Sequence, residues 1–565
     1  MGFLDYAGSL SLQKDPLKVK ILLDPRLTYP TMRREGEIPV IRLPEPRTSE
    51  ETIEYLGYIF PNDEKGKIRV GRLFRAAVAH VTAHTLTQLP PMLKAQSHLA
   101  KFTDTLLRNL HIDIYVAAAH PERLVDLAYA NALAVASARR LEKIYLPATR
   151  VMTAILSTAF VGRFNGRLTG VEKAFVEEAS EKLSQTKRSL VESLSEGEEV
   201  DVEELRENAV WLAERLREFG PFVETPCFPH TENASPCSIY LQRSAPQDQE
   251  VEPYFIDAME ALGGELPEEP MASCWKKQVD VECLQVFSST IIQREKEVKI
   301  LGKLQERLSP SRFRSIEIPP EDYSEYLRSR EMIGGSTRRL LNNIIIATNF
   351  ALEDIRKRYG NLDLAEAMQV VASKSPRTDV FIREEIMKQS FCIVVLLDVS
   401  RSMKTSPMEN RARAICLAEA AKDIITDSNS WAFYAFSDTL YVLKDGSEAY
   451  SRRVRARLGG VPFDGATYMP DALNAAAEFL KPKAEEQKII FVLSDGYPFG
   501  YPNVYDALEE ATKTYEGKGV IIIGIGLDTE RMGTLFRYNA AVYSQRDLIK
   551  KVGDIFLQAS SEELI

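Results

Sequence analysis

The sequence predicts a two-part protein, with a C-terminal α/β domain built on a doubly wound, mainly parallel sheet and a mainly α-helical region before it. Three observations carry this reading. The C-terminal third alternates short apolar runs with amphipathic helical stretches, the signature of successive βαβ units. Residues 67–217 carry apolar residues at three- and four-residue spacing over long stretches instead. At 565 residues the chain is also too long for one core, so roughly two to four domains are expected.

Taken in order, residues 1–65 are rich in proline and charge and show little periodicity. They read as an extended N-terminal arm or a small strand-bearing segment. A mainly helical domain is expected over 66–310, as a bundle or short solenoid without a clean internal repeat. Its stretches are RVGRLFRAAVAHVTAHTL, HLAKFTDTLLRNLHIDIYVAAA, RLVDLAYANALAVASARRLEKIYL and GVEKAFVEEASEKLSQTKRSLVESL. Asp201 suits the N-cap of a further helix, since a carboxylate there meets unpaired backbone N–H groups and the positive end of the helix dipole. Residues 311–385 read as linker and helices. Pro310, Pro319 and Pro320 mark a hinge, and STRRLLNNIIIATNFALEDIRKRY and LDLAEAMQVVASK are helical stretches.

From 386 to 565 the α/β pattern takes over. FCIVVLLD, SWAFYAFS, KIIFVLSD and GVIIIGIGL are expected as buried strands, YVLKD as a short edge strand and AAVY as a further strand. Between them lie helices such as ENRARAICLAEAAKDII and NVYDALEEATKTYEGKG. In open α/β sheets, ligands bind outside the carboxyl ends of the strands. At the end of the first strand stand Asp398, Ser400 and Ser402 in an Asp-x-Ser-x-Ser pattern. Thr467 lies in a Gly-x-Thr turn just before a helix starting near Pro470, and Asp495 ends a later strand. Carboxylates and hydroxyls are hard oxygen donors suited to a small divalent cation such as Mg2+.

These three pieces, in this order, resemble the metal-ion-dependent adhesion site of von Willebrand factor A (VWA) domains. The resemblance implies that Ser400, Ser402 and Thr467 bind Mg2+, or another divalent cation such as Mn2+ or Ca2+, directly. Asp398 and Asp495 would then hold it largely through waters, and an Asp or Glu of a protein partner would complete the shell. Over roughly 355–560, the order LDLAEAMQ, TDVFIRE and a strand ending in Asp-x-Ser-x-Ser-Met resembles the nitric oxide reductase activation protein NorD, the Rubisco activation subunit CbbO and the cobalt chelatase large partner. Unlike the last of these, the chain lacks a long acidic linker before the domain. Those proteins work with MoxR-type AAA+ ATPases, so the resemblance implies an adaptor that remodels or matures a client, with a metalloenzyme as a candidate. Asp438 is expected to shape a turn more than to support the metal. Arg401 stands where it could meet an incoming carboxylate or face solvent. Tyr497 and Phe499 would suit a protein interface if exposed.

Composition narrows the alternatives. A net charge of −10 argues against a dedicated polyanion binder. A Ro-like RNA-binding protein, which also places helical repeats before a VWA domain, is therefore the lesser reading and would need a basic concave surface. Six cysteines do not form a disulfide framework, the N-terminus has no secretory pattern, and no apolar stretch is long enough to span a bilayer. A cytoplasmic protein is expected. With no GxxxxGK[ST] loop, ATPase activity is expected in a partner and not in this chain.

Two sets of nitrogen and sulfur ligands remain. His80 and His84 are four apart on one helix face, a spacing that can chelate zinc, but Val81 stands where a zinc peptidase has its general-base Glu. A zinc-dependent enzyme on this pair would need a carboxylate from elsewhere. Cys227, His230, Cys237, Cys274 and Cys283 could supply a zinc site, although none of the spacings is a CxxC pair.

Overall fold

The computed structural model of the chain describes residues 2–87, 89–90, 98–196, 200–221, 225–232, 243–264, 278–309, 311–335, 337–340, 349–357, 361–362, 364–374, 376–388, 390–425, 427–485 and 487–562. It divides into two compact units, Met1–Arg294 and Glu295–Ile565.

The first unit opens on a helix, α1 (Phe3–Leu10), and six short strands: β1 (Lys20–Asp24), β2 (Thr31–Glu35), β3 (Ile38–Pro44), β4 (Arg47–Thr48), β5 (Thr52–Tyr55) and β6 (Tyr58–Pro61). Two three-stranded sheets result, in the orders β1-β3-β2 and β4-β5-β6, so the first sixty residues are strand-bearing and not an extended arm. The local reason is clearest at β5 and β6. Alternate residues of each are buried, Tyr55 pairs with Tyr58, and Leu56 and Gly57 between them both have positive φ (50° and 80°). Such a two-residue turn matches the twist of a hairpin, and glycine takes it without strain.

Helices make up most of the rest: α2 (Glu64–Thr87), α3 (His98–Ala119), α4 (Leu124–Ser137), α5 (Pro147–Val161), α6 (Gly170–Glu196), α7 (Val202–Leu216), α8 (Asp248–Ala261) and α9 (Gln278–Arg307). α2 is buried almost all round from Ile68 to Ala83, the behaviour of a central helix. Three arginines on it are also buried. Of these, Arg75 donates to Asp126 (2.7 Å) and to Asp280 (2.8 Å), so its charge is compensated in place. The long stretch expected as one helix from 123 to 146 stops at Ser137 and continues as irregular chain with a single 3-10 turn. The separate α5 follows, started by Pro147 and ended by Gly162 in the left-handed region (φ 83°). Asp201 caps α7 as expected, accepting from the backbone N–H groups of Glu203 (2.9 Å) and Glu204 (3.1 Å). Among the described residues no helix is long and apolar enough to cross a membrane.

The second unit is organised by a seven-stranded sheet containing β7 (Ile316–Glu317), β11 (Phe391–Asp398), β12 (Trp431–Phe436), β13 (Leu440–Lys444), β14 (Gln487–Ser494), β15 (Val520–Leu527) and β16 (Tyr538–Val542). Its order is β16-β15-β14-β11-β12-β13-β7, parallel except between β12 and β13. Every residue of β11 is buried. Ile393, Val395 and Leu397 join one core layer, while Cys392, Val394 and Leu396 join another. A strand covered on both faces reads as a continuous apolar run, which is why this one was legible from sequence.

Three expectations are corrected here. YVLKD is not an edge strand, because β7 pairs beyond it. The segment expected as a hinge supplies β7, and Leu440 N–H donates to Ser315 O (3.0 Å), so backbone pairing holds it to the sheet. In the stretch expected as a helix over 336–359, Asn349–Lys357 is a strand, β8. It pairs antiparallel with β10 (Phe381–Lys388), which also pairs with β9 (Asn361–Leu362). Here tertiary pairing overrides a local helical pattern. The helix expected at LDLAEAMQVVASK is present as Leu364–Ser373.

Candidate functional site

The order of the central sheet sets the place of the site. From β11 the chain crosses to β12 on one side, and later returns to place β14 on the other. The crevice between the carboxyl ends of β11 and β14 is therefore a topological switch point, where open α/β sheets bind ligands. Leu397 is paired with Leu493, so Asp398 and Ser494 are adjacent and Asp495 lies one residue beyond the strand.

Hydrogen bonds join the three sequence pieces. Asp398 is fully buried, and each of its carboxylate oxygens has a donor: Ser400 N–H to Oδ1 (2.8 Å) and Ser494 Oγ to Oδ2 (2.6 Å). Ser494 Oγ also accepts from Gly496 N–H (3.1 Å), which ties the loop after β14 to the loop after β11. Arg401 N–H donates to Gly465 O (3.1 Å), bringing in the Gly-x-Thr turn. Gly465 has φ +95°, and a Cβ there would lie 2.3 Å from Asp438 Oδ1, so both the backbone shape and the space require glycine. The backbone of Thr467 is bridged to that of Phe499 (2.8 and 3.2 Å), and Thr467 itself is buried. Asp495 Oδ1 accepts from Tyr497 N–H (3.2 Å).

Asp398 at the end of β11 and Ser400, Ser402, Thr467 and Asp495 on three loops thus stand at one end of the sheet. Ser400 Oγ and Ser402 Oγ are 3.1 Å apart. Neighbouring oxygens around an octahedral Mg2+ with bonds of 2.0–2.1 Å are separated by about 2.9 Å, so the two hydroxyls fit adjacent corners of such a shell. Burial pushes the Asp398 carboxyl up to about 7, against the hydrogen bonds from Ser400 and Ser494 that favour its charge, and repulsion from Asp495 adds to the rise. A carboxylate so placed favours a nearby cation. The all-oxygen donor set and this spacing fit a hard divalent ion.

Residues 393–498 match the family described as von Willebrand factor type A domain. They form such a domain. Around this type A domain, solved structures give only distant likeness. The pilus adhesin SpaC from Lactobacillus rhamnosus GG is 12% identical over 31% of each chain, with a TM-score of 0.24. Proximal thread matrix protein 1 from the mussel byssus, with a zinc-occupied MIDAS motif, is 14% identical over 30% of this chain and 48% of its own, at 0.24. The chain therefore spans about a third of the length of the first and about half of the second. The Deinococcus radiodurans RO (RSR) protein is 10% identical over 88% and 91%, at 0.22. TM-scores this low carry no argument about this chain. No curated protein matches it in sequence.

Ser494 is the residue that sequence reading missed. Its signal was present, since it directly precedes Asp495, but only the β11–β14 register turns it toward Asp398. Asp438 shapes the turn, packing over Gly465, and its Oδ2 accepts from Arg314 (2.9 Å). Arg401 is exposed. Tyr497 and Phe499 are exposed at 44% and 73%, and the Arg531 guanidinium lies 3.6 Å from the Tyr497 ring centroid. These rings sit beside the site as solvent-facing apolar surface.

The ligand candidates of the helical unit are placed differently. His80 and His84 do share a face of α2, with ring centroids 5.1 Å apart. Cys227 and Cys283 are buried outside any disulfide, and among the described residues neither joins a group that could hold a metal. Cys283 fills the space beside Gly71, where a Cβ would lie 2.2 Å from its sulfur, so it acts in packing. Cys237 and Cys274 lie outside the described residues. His230 does reach His80, as described below.

Proposed function

We propose that the chain is a noncatalytic adaptor that binds a protein partner through a Mg2+-dependent adhesion site. Ser400, Ser402 and Thr467 bind the ion, and Asp398 and Asp495 support it. The bound ion supplies an electrophilic position that an Asp or Glu side chain of the partner can occupy. Asp398, locked by Ser400 N–H and Ser494 Oγ, fixes the loop geometry before any ion arrives. The exposed rings of Tyr497 and Phe499 give the incoming segment apolar contact area beside the carboxylate position. The observation that carries this reading is the hydrogen-bonded convergence of three oxygen-bearing loops at the switch point of the type A domain.

The finer reading is that the partner is a MoxR-type AAA+ ATPase or its client, with a metalloenzyme as the candidate client and the cytoplasm as the setting. It rests on the sequence resemblance to NorD- and CbbO-type proteins. The test is a pull-down from native cytoplasm with wild type and Asp398→Ala, each with Mg2+ or with EDTA, and bound proteins identified by mass spectrometry. Recovery of an AAA+ ATPase only with wild type and Mg2+ is the expected result. The same proteins in all four conditions, or co-purifying RNA, would move the function away from the metal site.

A further inference from the structure

A second cluster of ligand atoms lies inside the helical unit, unrelated to the oxygen site. His80 is fully buried on α2. Its Nδ1 is 2.9 Å from Asp113 Oδ1 on α3, and Asn131 on α4 donates to the other oxygen of Asp113 (3.0 Å). A carboxylate on Nδ1, itself held by a further hydrogen bond, fixes the tautomer and ring plane of a metal-binding histidine and leaves Nε2 free. His80 Nε2 points toward Glu232 Oε2 at 3.6 Å, and His84 Nε2 is 3.2 Å from the same oxygen. In a tetrahedral Zn2+ shell with bonds of about 2.0–2.1 Å, neighbouring ligand atoms are roughly 3.3 Å apart, and both separations fall close to that edge. One ligand atom from each of His80, His84 and Glu232 lies within 4.8 Å of the others.

The carboxylate that α2 lacks next to its histidines comes from a loop distant in sequence. Thr231 N–H and Oγ1 both donate to Phe228 O (3.1 and 2.8 Å), closing a turn with Pro229 at its second position, the place where proline's fixed φ is favourable. That turn brings His230 to the cluster as well as Glu232. The His230 ring meets His80 edge-on with centroids 5.5 Å apart, and its Nε2 is buried with no hydrogen-bond partner. A buried nitrogen lone pair without a donor is costly unless something occupies it. His230, His80 and Asp113 also bring one ligand atom each within 4.8 Å of one another.

We propose that His80, His84 and Glu232 form a divalent transition-metal site of the zinc class, with Asp113 orienting His80 and the His230 ring packed edge-on against it. Imidazole with one carboxylate suits Zn2+ or Co2+, whereas the oxygen-only site of the type A domain suits Mg2+. The site is formed from α2 and a loop about 150 residues later in the chain, so an ion there would pin that loop to the central helix and stabilise the helical unit.

The test uses the full chain in excess Mg2+, so that the oxygen site is saturated with its own class of ion. Zn2+ is added, free metal is dialysed away and bound zinc is measured. A parallel titration with Co2+ reads the intense visible absorption of a tetrahedral nitrogen-ligated site. The expected result is one equivalent of retained Zn2+ and a visible Co2+ band, both unchanged in Asp398→Ala and both weakened at least 100-fold in His84→Ala. The shape-conserving Glu232→Gln serves if His84→Ala fails to fold, with helicity checked by circular dichroism. A rise in the melting temperature of wild type on adding Zn2+ gives a readout that needs no variant. Wild type that retains no zinc, uptake unaffected by His84→Ala and Glu232→Gln, or uptake that follows Asp398 instead, overturns the proposal. None of these outcomes bears on Mg2+-dependent partner binding.

Discussion

The two ligand clusters of this chain are built in opposite ways. The oxygen site of the type A domain gathers its side chains at the ends of neighbouring strands, and Ser402 at its rim is open to solvent. The histidine cluster is buried between a central helix and a loop. Their buried charges differ accordingly. Asp398 is held by neutral donors and burial raises its pKa to about 7, whereas His80 is pulled down by burial but lifted above its ordinary value, to about 9, by the Asp113 carboxylate hydrogen-bonded to its Nδ1 and the Glu232 carboxylate 3.6 Å from its Nε2. Nearby, burial and the repulsion of His80 push His230 down to about 3, leaving a neutral ring. An exposed site lets a partner's carboxylate reach the ion it holds. A buried one holds its ligands together and exchanges slowly with the surroundings.

Single substitutions act on the two clusters unequally. The largest effect is expected from Leu396→Ala, which empties a fully buried position of β11 directly behind the oxygen site. It should destabilise the C-terminal unit by about 2–5 kcal/mol in urea unfolding and weaken Mg2+ binding, while zinc uptake by the histidine cluster stays at one equivalent. Loss of both metals together would show that the two clusters are not independent.

Lys444 sharpens the contrast in how buried charge is held. Its ammonium is fully buried over the Trp431 ring and donates to the carbonyls of Ser428, Trp431 and Asp445. Burial lowers its pKa from 10.5 to about 8, against the attraction of Asp445 and Glu448. Between about pH 8 and 10.5 the unfolded chain keeps a proton that the native state has released, so this group makes stability rise with pH across that window and contributes no slope below it. The rise should be at most about 3 kcal/mol relative to Lys444→Met, measured as unfolding free energy at a series of pH values.

Asp398→Ala should lower Mg2+ affinity about 10- to 100-fold in calorimetric titration, the range expected for a carboxylate that supports a metal through an intervening shell. Unchanged affinity would show that Asp398 holds the loops without supporting the ion. The smallest effect on stability belongs to Phe499→Ala. Its ring is in solvent and only its backbone holds Thr467, so unfolding free energy should shift by less than about 0.5 kcal/mol. Partner capture should nonetheless fall, which separates a binding surface from a loop anchor.

What the sequence determined by itself was whatever local pattern could carry. β11, β14 and β15 were legible because strands buried on both faces are continuous apolar runs, and their ends announced the oxygen site because side chains two apart in a loop converge without help from elsewhere. The helices α2, α3 and α6 were legible from periodicity, and the cap of α7 from Asp201. Tertiary structure decided the rest. β7 and β8 exist because partner strands offer hydrogen bonds, which no local propensity encodes. Ser494 became part of the site only through the β11–β14 register. Glu232 and His230 gained chemical meaning only when a proline turn carried them to His80 and His84, because the spacing that makes a metal site across two distant segments is set by packing, and sequence separation holds no record of it.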